Sequence, residues 1–267
     1  PSEEELKGTG WLGYFPPTRP DAFLSNLKRI QVNRAYLVKL GGASPVALEV
    51  TGRPSWNRQG WQPNAFNLVG AGVTATPPTF QSYFEASPAH AGQPIYRLDP
   101  GGSWRLASPA ESMREGESFW VFCAGASDYE GPFDVEFGVG RDLDFGPFRD
   151  RATLEVVNRR SAPRDFTVSI ASQSQTGVLH LEDPSITNLA WSEFSGPQSL
   201  TAVAPEARRA LRFGVRRESL AGISYLGLLE ISDGAARRWL PVKVDGVRVT
   251  SFADGATRGL AGSEHAG

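Results

Sequence analysis

The sequence predicts a mainly β protein built from two β domains. The first domain, residues 11–138, is an aromatic-rich duplicated β unit with short helices, and the second, residues 152–246, is a β-sandwich. Short runs rich in β-branched and aromatic residues recur along the 267-residue chain, separated by turns that draw on 29 Gly and 20 Pro. Helical patterns occur at only two places and are short. These observations together indicate a chain dominated by strands.

In the first domain, one helix and two strands are predicted before residue 60. Residues 21–30 fit a short helix, because Asp21 is a suitable N-cap and the apolar residues after it fall on one face. Residues 34–40 have the composition of a strand. After a Gly-Gly turn, residues 46–52 alternate between apolar and other residues, as a half-buried strand does.

The same order recurs later in the first domain. Residues 76–84 fit a second short helix, residues 117–123 an aromatic strand, and residues 132–138 an alternating strand that ends on glycine. A strand is predicted between the two copies, at 65–70, and the second copy carries an inserted hairpin over 95–106 around Asp-Pro-Gly-Gly. We interpret the recurrence as an internal duplication, and chance similarity between short β segments is the alternative.

A Gly- and Asp-rich linker or crossover loop at residues 139–151 separates this unit from a region of different character. Aromatic residues become fewer there, and short strand patterns recur every 8 to 12 residues or so. The predicted strands cover residues 153–158, 165–171, 177–181, 199–203, 210–215, 225–232 and 238–244. Seven short strands at this spacing predict a β-sandwich.

Charge and composition exclude several classes of function. Lys and Arg total 27 and Asp and Glu total 29, which gives a net charge of -2 and no basic excess for nucleic-acid binding. No apolar run approaches the roughly 20 residues that cross a bilayer, so no membrane span is expected. Hydrophobic residues make up 40% of the chain and charged residues 21%, which is the balance of a globular protein.

Cysteine usage bears on the compartment. Cys123 is the only cysteine, so no internal disulfide is possible. Such scarcity favours an extracytoplasmic bacterial protein, secreted or on the cell surface. A first residue other than Met fits either a removed leader or a trimmed chain. Cys123 follows an apolar run, which favours a buried core thiol over a nucleophile.

Two resemblances follow from particular motifs. Asn67-Leu68-Val69-Gly70 and Gly116-Glu117-Ser118-Phe119-Trp120-Val121 resemble the W-N-L-[IV]-G and G-x-[GA]-[YF]-W-[VI] strands of a module in large bacterial surface and secreted proteins. Phe66 stands where that module usually has Trp. Leu154-Glu155-Val156-Val157-Asn158, with the strands near 225–231 and 240–242, resembles bacterial immunoglobulin-like domains. The second domain is therefore expected to be an immunoglobulin-like β-sandwich, and neither family implies a catalytic residue.

No metal or cofactor is expected from the sequence. His90, His180 and His265 lie far apart and have no partner at ligand spacing. His180 is expected to be an exposed or hydrogen-bonded strand residue. Asp142 and Asp144 could bind calcium, but the loop lacks the regular spacing of a calcium site, and a solvated linker is the preferred interpretation.

Motifs for nucleophilic catalysis and phosphate binding are missing from the sequence. It contains no G-x-S-x-G motif, and its Gly-Gly pairs fall in β-turns instead of before helices. A pair of glycosidase-type carboxylates needs no local motif, so a hydrolase with a dispersed carboxylate site stays open as one hypothesis.

Tryptophans are the remaining candidates for ligand binding. Trp56 and Trp61 lie in a polar stretch and Trp104 in the hairpin, where an indole can stack on a sugar or anchor a protein partner. The alternative is that Trp56 and Trp61 fold back over the edge of the first domain. Trp120 and the tryptophans of the second domain are expected to be packing residues.

Three functions remain open. The leading hypothesis is a non-catalytic structural or adhesive module of a bacterial surface or secreted protein, with protein partners or self-association. This hypothesis predicts exposed edge strands or apolar patches. The second is a carbohydrate-binding module, which predicts exposed, roughly coplanar indoles at its candidate tryptophans. The third is the hydrolase with dispersed carboxylates.

Overall fold

The computed structural model describes residues 12–31, 34–42, 46–47, 49, 52, 56, 58–140, 142–182 and 190–246. The protein is mainly β, as the sequence predicts, with 40% of the residues in strands, 5% in helices and three sheets. A four-stranded sheet comes first along the chain. Two five-stranded sheets follow and form a β-sandwich.

The first sheet is antiparallel and runs in the order β1–β4–β2–β3. Its strands are β1 (Ala65–Gly70), β2 (Ile95–Leu98), β3 (Trp104–Leu106) and β4 (Ser118–Cys123). These strands match the predictions for this part of the chain. The predicted Asp-Pro-Gly-Gly turn joins β2 to β3, with Leu98 opposite Trp104.

A short helix, α1 (Phe80–Phe84), packs on the inner face of this sheet and buries Phe80, Tyr83 and Phe84. The hydroxyl of Thr79 accepts a hydrogen bond from the amide of Ser82 at 3.1 Å, so Thr79 is the N-cap that starts the helix. The ring of Phe80 meets that of Phe119 on β4 edge to face at 4.8 Å. The helix predicted at residues 76–84 is thus present and shorter than expected.

Ten further strands form the sandwich. They are β5 (Phe133–Phe137), β6 (Leu143–Asp144), β7 (Arg151–Asn158), β8 (Arg164–Gln173), β9 (Leu179–Glu182), β10 (Trp191–Glu193), β11 (Gln198–Val203), β12 (Arg208–Val215), β13 (Ser224–Ser232) and β14 (Arg237–Asp245). One sheet has the order β10–β9–β12–β7–β5 and the other β11–β8–β13–β14–β6. Phe133 and Phe166 pack against each other, 5.3 Å apart, and so bring β5 against β8 across the core. All seven predicted strands are present, and the two shortest, β6 and β10, were not predicted.

The strand β5 joins the sandwich, although it precedes the predicted linker. It pairs with β7 in antiparallel register, with Val135 opposite Val156. Both side chains are buried in the sandwich core. The division of the chain into two domains stays a prediction, but a strand from the first predicted unit completes a sheet of the second.

The first predicted copy of the duplication has a different structure from the second. The helix predicted at residues 21–30 is wrong: only one turn of 3-10 helix, Ala22–Leu24, forms there. Asp21 makes no capping hydrogen bond, and Phe23 is 79% exposed. Without a surface to cover its apolar face, a helix this short is not stable.

The strand predicted at residues 34–40 is also wrong, because these residues form no strand. Leu37, Val38 and Leu40 are exposed instead of buried. Part of the strand predicted at 46–52 and of the turn before it lies outside the described residues. In the described part of the chain, the structure therefore gives no support to the duplication.

The loop after β1 attaches the first sheet to the sandwich. Val73 and Ala236 form an isolated antiparallel bridge, and the amide of Arg237 donates to the carbonyl of Gly72 at 2.9 Å. Val73 and Ala236 are 1% and 2% exposed. A segment of the first unit therefore pairs through its backbone with the turn between β13 and β14.

Candidate functional site

The outer face of the first sheet is the most unusual surface of the described protein. Side chains alternate between the two faces of a strand, and the buried residues Asn67, Phe119 and Ile95 mark the inner face. Cross-strand register then assigns nine side chains to the outer face. We call these residues the aromatic face: Phe66, Leu68, Tyr96, Leu98, Trp104, Leu106, Ser118, Trp120 and Phe122.

Trp120 occupies the middle of the aromatic face. Its strand, β4, lies between β1 and β2, so Trp120 has Leu68 opposite on one side and Tyr96 on the other. Its ring meets that of Trp104 at 6.2 Å, with an interplanar angle of 65°. The aromatic rings therefore continue from the hairpin into the centre of the sheet.

Phe66 lies at the edge of the aromatic face, on β1. It packs against Phe122 at 5.2 Å and against Tyr96 at 5.6 Å, with interplanar angles of 67° and 70°. Aromatic pairs prefer such tilted contacts to flat stacking. The surface is consequently a set of rings standing at angles to one another, and no flat platform forms.

The exposure of this face is unusual for its composition. Phe66 is 42% exposed and Leu106 59% exposed, while the other aromatic residues of the face are half-buried. Sheets that face water on one side normally alternate apolar and polar residues, but β4 is apolar on both sides. Contiguous exposed apolar surfaces are often contact sites, which makes this face the candidate surface.

Chemically, the aromatic face offers apolar contact and little else. None of its nine side chains carries a charge, and its hydrogen-bonding groups are few. Interface centres are depleted in charge and enriched in aromatic residues, which is the composition found here. The face is therefore suited to binding an apolar surface.

A charged cluster lies on the inner side of the same sheet. Arg97 is 1% exposed, lies over the rings of Phe80 and Phe119, and forms ion pairs with Glu111 and Glu117. Hydrogen bonds from Arg105 are the main cause that lowers the pKa of Glu111 to about 2, with Arg97 adding to it. A general acid needs a raised pKa, so Glu111 is unsuited to that role.

The structure separates the three predicted ligand-binding tryptophans. Trp104 lies on the aromatic face. Trp61 packs against the hydrophobic core, and its indole N–H donates to the carbonyl of Tyr129 at 2.7 Å. Trp56 packs there too, edge to face with Phe137 at 6.1 Å. Trp56 and Trp61 thus fold back onto the protein, which is the alternative arrangement that the sequence left open.

Sequence reasoning missed four aromatic residues of the face: Phe66, Tyr96, Trp120 and Phe122. Trp120 does pack, as predicted, but against Trp104 on the aromatic face, where it stays half-buried. The available signal was the run Phe119-Trp120-Val121-Phe122, which is apolar without alternation. Such a run means that both sides of the strand are covered, or that one side is a binding surface.

His90 is buried in an aromatic cluster. Its ring lies 4.0 Å from that of Trp61 and 5.7 Å from that of Tyr129, and Nδ1 is 2.6 Å from the hydroxyl of Ser87. The other ring nitrogen has no hydrogen-bond partner. Burial lowers the pKa of His90 to about 4, so the ring is neutral at physiological pH.

The other histidines add no ligand site. His180 is 5% exposed, and its Nδ1 lies 3.3 Å from the carbonyl of Val178, so it is a buried strand residue with a partner. His265 lies outside the described residues. Within the described ranges, no three His, Cys, Asp or Glu side chains are grouped to hold a metal ion.

The acidic loop uses its carboxylates to shape turns. Asp142 accepts a hydrogen bond from the amide of Asp144 at 3.2 Å, and Asp144 accepts one from the amide of Gly146 at 2.8 Å. Asp150 forms an ion pair with Arg217. Each of these three carboxylates therefore has a partner within the protein.

Cys123 ends β4 on the inner face and is fully buried. Its thiol donates to the carbonyl of Gly125 at 3.2 Å, and burial raises its pKa. A buried thiol that is kept protonated is a poor nucleophile. The prediction of a buried core thiol is confirmed.

A small cavity of about 40 Å³ lies between the sheet and the loop after β4. Its only described acidic lining residue is Glu130, which is held by Arg238 at 2.9 Å and by the amide of Gln59 at 3.0 Å. A space of this size holds a few water molecules. The aromatic face is therefore the better candidate for a functional surface.

Comparisons with known proteins leave the function to be argued from this surface. No protein-family model matches the chain, and no curated protein matches it significantly. Solved structures that resemble it include a FixG-related protein from Vibrio parahaemolyticus, with 10% sequence identity and a TM-score of 0.28. That similarity covers 43% of this chain and 96% of the other. Among the described residues, no helix has the length and apolar character that crossing a membrane requires.

Proposed function

We propose that the chain is a non-catalytic structural or adhesive module of a bacterial surface or secreted protein, and that it binds another protein through the aromatic face. The observation that carries this proposal is the uncharged, mostly aromatic outer side of an otherwise well-packed sheet. The extracytoplasmic location rests on the scarcity of cysteine and on the resemblance of the strand motifs.

Rigid support for the face favours a binding role. Asn67 on β1 holds the preceding loop, accepting from the amide of Gln62 at 2.8 Å and donating to its carbonyl at 3.1 Å. On the inner side, the buried Arg97 ties β2 to the loop before β4 through its ion pairs. A preformed surface loses little conformational entropy on binding, which increases affinity.

A carbohydrate ligand suits the face less well than a protein. Trp104 and Trp120 are available there, but their rings are inclined by 65° and cannot both lie flat against one extended sugar chain. Sugar hydroxyls also need polar partners, and Ser118 and Tyr96 are the only face residues with a hydroxyl. Apolar protein side chains need no hydrogen-bonding partners.

The hydrolase hypothesis has no supporting site in the described residues. The carboxylates of Glu111 and Glu117 converge on Arg97. Arg105 also pairs with Glu111, and Arg114 with Glu117, so each carboxylate faces two guanidinium groups. With a pKa near 2, Glu111 stays ionised at the pH where a glycosidase acid must carry its proton. We therefore favour a binding module.

Association with the producing cells tests this proposal. We would compare the fraction of protein retained on intact cells for the wild type, Trp120→Lys and Trp239→Lys. Trp120 lies at the centre of the aromatic face, while Trp239 is a 45% exposed tryptophan on β14, in a different sheet. Because a buried lysine without a partner is costly at an apolar interface, Trp120→Lys should reduce retention at least tenfold, and Trp239→Lys should not.

Circular dichroism and thermal unfolding would show that both variants are folded. Equal retention of the two variants would contradict the proposal. So would a wild-type protein that binds no protein, neither on the cells nor in the medium.

A further inference from the structure

We infer that the partner of the aromatic face is a second copy of this chain, packed face to face about a two-fold axis. This inference rests on the proposed function and names its partner. Two-fold dimers are the commonest symmetric assemblies, and their interface brings one patch against the same patch of the other copy. The patch must therefore be complementary to itself.

Charge is the first reason to favour a second copy. A charged patch repels its own copy when a two-fold axis brings like charges together, whereas the aromatic face carries no charge at any of its nine positions. The outer face of the sandwich sheet that contains β12 differs, since it carries ion pairs such as Arg212 with Glu182 at 3.3 Å and Arg208 with Glu155 at 3.4 Å. Removing those charged groups from water on association would cost free energy, whereas burying the aromatic face removes no charge from water.

The shape of the face is the second reason. Rings inclined at 65° to 70° present both edges and faces, and rings of a facing copy can pack against them edge to face. Sheets that pack face to face in sandwiches interdigitate their side chains in this way. A sheet face of the same composition is thus a suitable partner.

The described part of the neighbouring segment approaches the face at its β1 edge. Arg34 and Ala35 line a cleft beside Leu68 there. Leu37 and Val38, which follow, are 52% and 69% exposed. These two side chains are therefore not buried against the face.

The area sets the expected strength. Four strands about 4.8 Å apart, with three to six residues at about 3.4 Å each, give a face of roughly 300 Å² per copy. Two such faces bury roughly 600 Å², which is below the area of stable interfaces and in the range of weak, transient ones. The dimer is therefore weak and dependent on concentration.

Sedimentation velocity of the full chain tests the inference. The weight-average mass should rise from the 28.9 kDa of the monomer toward twice that value as concentration increases from about 5 μM to about 1 mM. Trp120→Lys should stay monomeric over this range, because the central residue meets its own counterpart across a two-fold axis. Trp239→Lys, the matched control, should associate as the wild type does.

A charge-swap experiment separates self-association from binding to a different protein. Trp120→Glu should also be monomeric by itself, because two carboxylates then meet. An equimolar mixture of Trp120→Lys and Trp120→Glu should regain association, since the two substituted residues then attract each other.

Several results would overturn the inference: a monomeric wild type at the highest concentration, a dimer that persists in Trp120→Lys, or no recovery in the mixture. A monomeric wild type whose retention on cells still depends on Trp120 would leave the proposed function standing with a different protein as partner. A monomeric wild type whose retention on cells is also independent of Trp120 would contradict the proposed function as well.

Discussion

The guanidinium of Arg160 and the carboxylate of Asp233 form an ion pair, 2.8 Å long, with side chains only 3% and 1% exposed. Arg160 also donates to the hydroxyl of Ser82 on α1 at 2.9 Å. Asp233 accepts hydrogen bonds from the amides of Ala235 and Ala236 in the turn between β13 and β14. This buried pair therefore links the helix beneath the aromatic sheet to the sandwich.

Removal of Arg160 should destabilise the protein strongly. Arg160→Met leaves the carboxylate of Asp233 buried without its cation, and breaking a buried pair in this way typically costs about 3–5 kcal/mol. Urea unfolding should show this loss. Arg19→Met removes an exposed ion pair with Asp21 and should leave the midpoint almost unchanged. Similar midpoints for the two variants would show that the Arg160 pair does not hold the units together.

Gly72 should not tolerate a side chain. A Cβ at this position would lie 2.2 Å from the carbonyl oxygen of Arg237, which belongs to the backbone of the attached turn. Gly72→Ala should therefore force the two segments apart and lower the free energy of unfolding by about 1–3 kcal/mol. Gly60→Ala is the control, because no atom lies within 4 Å of its Cβ position. A Gly72→Ala variant as stable as the control would contradict the attachment of this loop.

His90 should make stability depend on pH. Its pKa is about 4 in the folded protein and near 6.5 in the unfolded chain. As pH falls from 6.5 to 4, the unfolded chain takes up a proton that the folded protein does not bind, so the free energy of unfolding decreases. Above pH 6.5 the ring is neutral in both states, and this contribution is constant.

A His90→Phe variant keeps an aromatic ring and lacks this titration. Between pH 7 and pH 4, its stability relative to the wild type should improve by on the order of 3 kcal/mol. Urea unfolding at a series of pH values measures the difference. Parallel curves for the two proteins would indicate that His90 is protonated equally in both states.

Cys123 should be unreactive in the folded protein. Its thiol is buried at the end of β4, and its pKa is raised by burial, so little thiolate is available. Alkylation by iodoacetamide, followed by mass spectrometry, should be about a hundredfold slower in native buffer than in urea. Comparable rates in both conditions would place the thiol at the surface.

The strands of the sandwich were predictable because their signal is local. In β7 and β8, for example, apolar and other residues alternate with a period of two over most of the strand, which indicates one buried face. The short strands β6 and β10 have two and three residues, too few to show a period. Their pairing depends on neighbouring strands that lie far away in sequence.

The first copy of the supposed duplication shows the opposite case. Residues 34–40 have the composition of a strand, yet Leu37 and Val38 are exposed and no strand forms. A propensity for β structure becomes a strand only when a neighbour accepts its hydrogen bonds and a surface covers its apolar side. The matching residues of β4 have both, since β1 and β2 flank them.

Residue patterns along the chain were enough to indicate the β class, the hairpin at Asp99, most strands and the burial of Cys123. It could not show which side chains meet. The candidate surface depends on the cross-strand register that places Trp104 beside Trp120, and the link between the units depends on Arg160 reaching Asp233. Both relationships join residues distant in sequence, and such contacts exist only after the chain has folded and excluded water from between them.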